Sequence, residues 1–219
     1  TGIRNVLGAG GYSLSNGVGT VNLGGSNKAV IQWGSGLGIG ASENLSFTNG
    51  ESAVNRALVL NKVMGGNASA LNGEISVDST IGNLIFVNPN GFSVGGNFNI
   101  GTLAAFKSGL MLSTRDFADS VNLNATSSAE NSFVVDANTL SGRSVTSPGD
   151  PFMGMDAPVG SSAGNISFSS STQAFGSGAQ NTISLVSDGG SITVIGDANT
   201  PAVLAAGTVY ITTNTGNVT

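Results

Sequence analysis

Residues able to carry acid–base or nucleophilic chemistry are scarce in this chain. Histidine and cysteine are both absent, which excludes Ser-His-Asp and Cys-His catalysis and metal sites built on imidazole or thiolate. Arg115, Asp116 and Asp119 lie close together in sequence and would suit the paired carboxylates of glycoside hydrolysis. Strand alternation would place Arg115 and Asp116 on opposite faces, so a solvated turn is the favoured interpretation. We therefore predict that the chain is not an enzyme.

Charge and composition also limit the ligands. The formal net charge is −5 and the seven basic residues are scattered, so we expect no nucleic-acid partner. No cofactor or metal site is predicted, because the Gly-Gly-x-Gly-x-Asp calcium repeat is missing as well; a single structural Ca²⁺ stays open. Asn-x-Ser/Thr triplets are expected by chance in a chain so rich in these residues, and they begin at Asn44, Asn67, Asn124, Asn165 and Asn217.

The tetrapeptide Asn88-Pro89-Asn90-Gly91 is the segment whose backbone conformation the residue types constrain most strongly. Pro89 fixes its own φ and biases Asn88 toward an extended conformation, while Asn90 and Gly91 both tolerate positive φ. The tetrapeptide is therefore predicted to be a rigid chain reversal. The runs on either side, 84–87 and 92–94, are β-branched and aromatic, which predicts two buried strands with Phe86 and Phe92 in the core.

The composition around this turn favours an all-β fold of many short strands. Only 9% of the residues are charged, against about 25% in an average domain, and the chain holds 34 glycines. Asn, Ser, Thr and Gly favour turns over helices, while a hydrophobic share of 39% is enough for a core. The spacing of the late strands favours the coils of a parallel β-helix, with a β-sandwich as the alternative. These strands are predicted at 165–169, 182–186, 191–195 and 208–212.

Two segments depart from this regular pattern. The segment 32–47 contains Trp33 and is predicted to form early strands, with Trp33 in the core or capping it. The Pro- and Gly-rich stretch 141–162 is predicted to be an extrahelical loop. Residues 102–117 have some helical propensity, but the context favours two further strands.

Five segments follow one another along the chain: 29–33, 39–47, 52–56, 71–75 and 85–94. In this order they resemble the secretion domain of two-partner secretion exoproteins, the filamentous haemagglutinin and high-molecular-weight adhesin family. The resemblance covers roughly residues 20 to 117, and several ordered motifs are more specific than any one of them. The Asn-Pro-Asn-Leu tetrapeptide of the haemagglutinin branch is missing, and Asn55-Arg56 stands in the Ala-Val-Asn-Arg context of the adhesin branch.

The resemblance implies a right-handed parallel β-helix with an N-terminal cap and short antiparallel extrahelical hairpins. Residues 1–219 would form one secretion domain, the N-terminal fragment of a larger exoprotein. It also implies that Asn88, Pro89, Asn90 and Gly91, with Asn55 and Arg56, form the motif recognised by the transporter. Trp33, Phe86 and Phe92 would have structural roles.

The function implied is that of a secretion signal and folding nucleus. The partner would be the periplasmic domains of a cognate outer-membrane β-barrel transporter, and the domain would be a monomer. Its location would be outside a Gram-negative cell or on its surface, after transit through the periplasm. Two alternatives stay open: an adhesive domain that binds host glycans or receptors, and a polysaccharide-active β-helix enzyme. Whether the whole protein is an adhesin, a cytolysin or a contact-dependent toxin is open too.

Overall fold

All regular structure in the described part of the chain is β. The computed structural model describes residues 3–7, 11–25, 28–34, 36–49, 57–101, 109–114, 164–169, 182–187, 189–196, 199, 208–213 and 215–219. The predicted loop at 141–162, the pair Asn55-Arg56 and the charged cluster at 115–119 lie outside these residues.

Seventeen strands of two to seven residues are described. They are β1 (Ile3–Leu7), β2 (Gly11–Ser15), β3 (Val18–Asn22), β4 (Lys28–Trp33), β5 (Gly38–Ile39), β6 (Asn44–Thr48), β7 (Ala57–Val63), β8 (Ser69–Leu71), β9 (Glu74–Val77), β10 (Ile81–Val87), β11 (Phe92–Val94), β12 (Asn99–Gly101), β13 (Gly109–Ser113), β14 (Ile166–Phe168), β15 (Thr182–Ser187), β16 (Ile192–Val194) and β17 (Thr208–Thr213).

These strands build three sheets around one core. Sheet 1 has the order β1-β4-β7-β10-β13-β15-β17, sheet 2 the order β2-β3-β6-β9-β12, and sheet 3 the order β5-β8-β11-β14-β16. From β3 to β14 the chain visits sheets 2, 1 and 3 in turn, and each circuit is one coil. Neighbouring coils pair in parallel, which a sandwich of antiparallel sheets would not do. The predicted parallel β-helix is confirmed.

The pairing register gives the length of a coil. Asn83 pairs with Gly109, and Thr182 pairs with Thr208, so equivalent residues of those neighbouring coils lie 26 residues apart. Gly109 pairs with Thr182, which follows 73 residues later. The chain therefore carries extra residues between β13 and β15 without losing the stacking of sheet 1.

The N-terminal end carries the described antiparallel strands. β1 pairs with β4 at the edge of sheet 1, and β2 pairs with β3 at the edge of sheet 2. Asn16 and Gly17 join β2 to β3 with φ values of 49° and 78°, the two positive values that a type I′ hairpin turn needs. This agrees with the N-terminal cap that was expected.

The core is a stack of inward side chains in which aromatic residues are prominent. Trp33, Phe86 and Phe92 are each no more than 1% exposed, so their predicted core positions are confirmed. The rings of Phe47 and Phe86 meet edge to face with centroids 6.2 Å apart. The predicted late strands are also present, as β14 to β17, whereas the described part of 102–117 contains the single strand β13.

The outward side chains of sheet 1 are buried as well. Val30, Leu60, Ile85 and Met111 occupy equivalent register positions on four successive strands, and none is more than 5% exposed. They alternate with the inward residues, so these strands are buried on both faces. This explains why the run 84–87 is continuously apolar instead of alternating, as is typical of doubly covered parallel strands.

Candidate functional site

The Asn-Pro-Asn-Gly tetrapeptide forms the corner between β10 of sheet 1 and β11 of sheet 3. The Gly91 N–H donates to the Asn88 carbonyl at 2.9 Å, which closes a four-residue turn. Gly91 has a φ of 98°, while Asn90 has no positive φ. Pro89 therefore sits at the second position of the turn, where its fixed φ is favoured, and Gly91 alone takes the left-handed conformation.

Asn88 is the hub of this corner and is fully buried. Its side-chain amide donates to the Asn67 carbonyl at 3.0 Å and to the Ser69 hydroxyl at 2.9 Å, both on the preceding coil. Its side-chain oxygen accepts from the Asn90 N–H at 2.9 Å. On the other side its backbone N–H donates to the Ser113 carbonyl of the next coil at 2.9 Å. One residue thus connects three successive coils.

Asn90 and Pro89 extend the same connections at the half-buried surface of the corner. The Asn90 side-chain amide donates to the Gly65 carbonyl at 2.8 Å, one coil back. The Pro89 carbonyl accepts from the Gly164 N–H at 2.8 Å, one coil forward. The motif is a clamp between coils as well as a chain reversal.

The next coil approaches the turn with its backbone. A β carbon on Gly91 would lie 2.3 Å from the Asn165 oxygen, and one on Gly164 would lie 2.0 Å from the Asn90 carbonyl carbon. Both distances are far below van der Waals contact, and the opposing atoms belong to the main chain. Glycine is therefore required at both positions by the close stacking of two corners.

Residues at the position equivalent to Asn88 on the later coils of sheet 1 are also polar and buried. They are Thr114 and Ser187, which are 2% and 0% exposed. Ser187 donates its hydroxyl to the Gly190 carbonyl at 2.8 Å. On the earlier coils the equivalent residues are the apolar Val63 and Trp33. This inward-facing position therefore changes from apolar to polar at the motif, which the sequence alone did not indicate.

A second buried amide ties the aromatic core to the strands. The Trp33 indole N–H donates to the Asn61 side-chain oxygen at 3.1 Å, and the Asn61 amide donates to the Ile85 carbonyl at 3.2 Å. Asn61 is fully buried, so it satisfies the indole where water does not reach. The role of Asn61 was not predictable from the sequence, because an Asn within an apolar strand gives no sign of which partner it will meet.

The remaining predicted site residues, Asn55 and Arg56, lie outside the described part of the chain, as do Arg115, Asp116 and Asp119. Within the residues that the structure describes, no three Asp or Glu side chains come together in a way that would hold a metal ion. The described residues include no helix of the length and hydropathy that a membrane span requires.

Comparison with known proteins adds no assignment. No protein-family model matches the chain, and no curated protein is significantly similar to it.

Proposed function

We propose that this chain is the N-terminal secretion-signal and folding-nucleation domain of a large secreted or surface protein of a Gram-negative bacterium. A partner outer-membrane β-barrel transporter exports the protein, and the periplasmic domains of that transporter bind the domain as a monomer. The observation that carries the proposal is the position of Asn88 to Gly91: the motif on which the family resemblance depends clamps three coils together.

The burial of Asn88 defines when a partner is able to contact it. In the folded coil the side chain is 0% exposed and its amide group is engaged by Asn67, Ser69 and Asn90. A transporter that binds the Asn88 side chain must therefore meet the chain before the coil closes. Export of an extended segment, followed by folding outside the cell, satisfies this condition.

Slow closure of the coils supports the same sequence of events. Each described coil pairs with residues at least 23 positions away, and Phe92 pairs with Ile166, 74 positions later. Closing such long loops costs conformational entropy before the strand contacts form. Folding is therefore slow. The chain would thus stay extended in the periplasm long enough to be bound and threaded.

The stacking of the late coils supports the nucleation role. Val209 and Ile211 of β17 follow the core residues Ile183 and Leu185 of β15 in the register. A coil that has formed can in this way template its neighbour by nearest-neighbour contacts.

Export of an Asn90→Ala variant tests the proposal. Asn90 is half-buried and makes fewer contacts than Asn88, so its replacement disturbs the fold less. Asn97→Ala, at an exposed Asn of the same coil, is the matched control. Co-expressed with the cognate transporter, Asn90→Ala should give at least about fivefold less protein in the supernatant than Asn97→Ala. Equal export of the two variants, with equal melting temperatures, would contradict the proposed signal.

A further inference from the structure

Sheet 3 differs from the other two sheets at the N-terminal end of the stack. Sheets 1 and 2 end in the antiparallel strands β1 and β2, whereas sheet 3 ends in β5, with no described strand beyond it. The N–H groups of Ala70 and Asn72 donate to the carbonyls of Leu37 and Ile39 at 3.0 and 2.8 Å. In a parallel sheet, the residue between Leu37 and Ile39 then directs its N–H and C=O groups away from β8. That residue is Gly38, at the edge that no described strand covers.

Gly38 is accessible to another chain. It is exposed, and a β carbon placed on it would have no heavy atom within 4 Å. Its φ lies outside the left-handed region, so the backbone is already suitable for pairing with a further strand. This edge therefore offers one donor and one acceptor to an extended peptide.

A small apolar cleft opens beside this edge. Its walls include Trp33, Leu37, Ile39 and Leu45, and the ring of Tyr12 meets Trp33 edge to face at 6.3 Å. The cleft has a volume of about 80 Å³, whereas sites for drug-sized ligands span roughly 300 to 1,000 Å³. A space of this size takes one aliphatic side chain and is too small for an oligosaccharide.

Among the described residues that line the cleft, one is charged, and it is acidic. Glu43 is exposed, and one of its carboxylate oxygens accepts from the Gly40 N–H at 2.7 Å. A cationic residue next to the inserted side chain would complement Glu43.

We propose that this edge is a docking site for an extended segment of a partner protein. The segment pairs its main chain with Gly38, inserts a valine- or leucine-sized side chain between Tyr12 and Ile39, and directs a lysine or arginine at Glu43. This interaction goes beyond the proposed secretion role, because it uses the folded domain and no contact with Asn88.

Trp33 is the only tryptophan of the chain and lines the cleft, so its emission reports on occupancy. The probe is the peptide acetyl-Thr-Lys-Val-Lys-Thr-amide, titrated into the purified domain. We expect a saturable change in emission, retained by Gly38→Ala and weakened at least about tenfold in affinity by Gly38→Pro. The two variants differ in the free N–H, which proline lacks. Circular dichroism and melting temperature establish that both are folded.

Two further measurements complete the test. If the peptide adds in the parallel sense of sheet 3, the N–H of the inward-facing valine pairs with the Gly38 carbonyl. The same peptide with a backbone N-methyl group on valine then cannot pair fully and should bind at least about tenfold more weakly, whatever the variants do. Glu43→Gln should weaken binding by about threefold at low salt, as expected for an exposed ion pair. Equal affinity of the methylated and unmethylated peptides would overturn the proposal, as would an absence of saturable binding up to millimolar peptide. A response to oligosaccharides but not to the peptide would overturn it too.

Discussion

The side-chain amide of Asn88 donates to the hydroxyl oxygen of Ser69 at 2.9 Å, and both residues are fully buried. They belong to successive coils, and the bond joins the end of β10 to the start of β8 beside the main-chain bond from the Ser69 N–H to the Gly91 carbonyl. Buried polar groups of this kind are expensive to leave unpaired. The side-chain bond therefore adds to the strand pairing of β8 with β11 that already joins the two coils.

Replacing Asn88 by alanine should destabilise the domain markedly. The variant leaves the Ser69 hydroxyl, the Asn67 carbonyl and the Asn90 N–H without their partner, which should lower the free energy of unfolding by about 2 to 4 kcal/mol. Asn97→Ala, at an exposed site on the same coil, should change it by less than about 0.5 kcal/mol. Urea titrations monitored by circular dichroism measure both. Equal stabilities of the two variants would contradict the described role of Asn88.

This expectation affects how secretion phenotypes are interpreted. Loss of export after an Asn88 substitution would combine two effects, because the same change removes a possible transporter contact and weakens the coil. Asn90 separates them better, since its side chain is half-buried and has one contact to the preceding coil, with Gly65.

Gly164→Ala should also be destabilising, for a steric reason. Its β carbon would fall 2.0 Å from the Asn90 carbonyl carbon, and displacing stacked main chain typically costs about 1 to 3 kcal/mol. Gly66→Ala is the matched control, because its β carbon would meet nothing within 4 Å and its φ is not left-handed. Thermal unfolding of both variants decides the point. A Gly164→Ala domain as stable as Gly66→Ala would show that the two corners stack less closely than described.

The hydrogen bond from Trp33 to Asn61 should appear as a coupling between the two residues. Asn61→Leu leaves the indole N–H unpaired in the core, whereas the double variant Trp33→Phe, Asn61→Leu removes donor and acceptor together. We expect the double variant to be at least about 1 kcal/mol more stable than the sum of the single losses. A double-mutant cycle from denaturant unfolding gives this value, and strict additivity would argue against the bond.

Outward residues of sheet 1 should behave like core residues. Leu60 is fully buried on the outward face, so Leu60→Ala should cost about 2 to 4 kcal/mol, close to the cost of the inward Leu84→Ala. Ala70→Ser, on an exposed position of sheet 3, should change the stability by less than about 0.5 kcal/mol. A loss below 1 kcal/mol for Leu60→Ala would indicate that this face is open to water.

The parts of the fold that were predictable from sequence are those fixed by local chemistry. Pro89 and Gly91 specify their turn within four residues, and the apolar runs beside them specify their strands. Thr114 and Gly164 were not predictable, because their roles depend on being stacked against Asn88 and Asn90. That stacking is set by the 26-residue register together with the extra residues between β13 and β15. No local pattern reveals which distant residues the register brings together.

The closure of the fourth coil has a consequence for how such a domain can be diversified. Thr114 donates its N–H to the Val186 carbonyl at 2.9 Å, and Gly164 donates its own to the Pro89 carbonyl at 2.8 Å. The two ends of the segment 115–163 are thus each anchored to a neighbouring coil. The stack thus fixes the point at which the chain leaves sheet 1 and the point at which it re-enters sheet 3, so an epitope grafted between Thr114 and Gly164 would begin and end at defined positions of the frame.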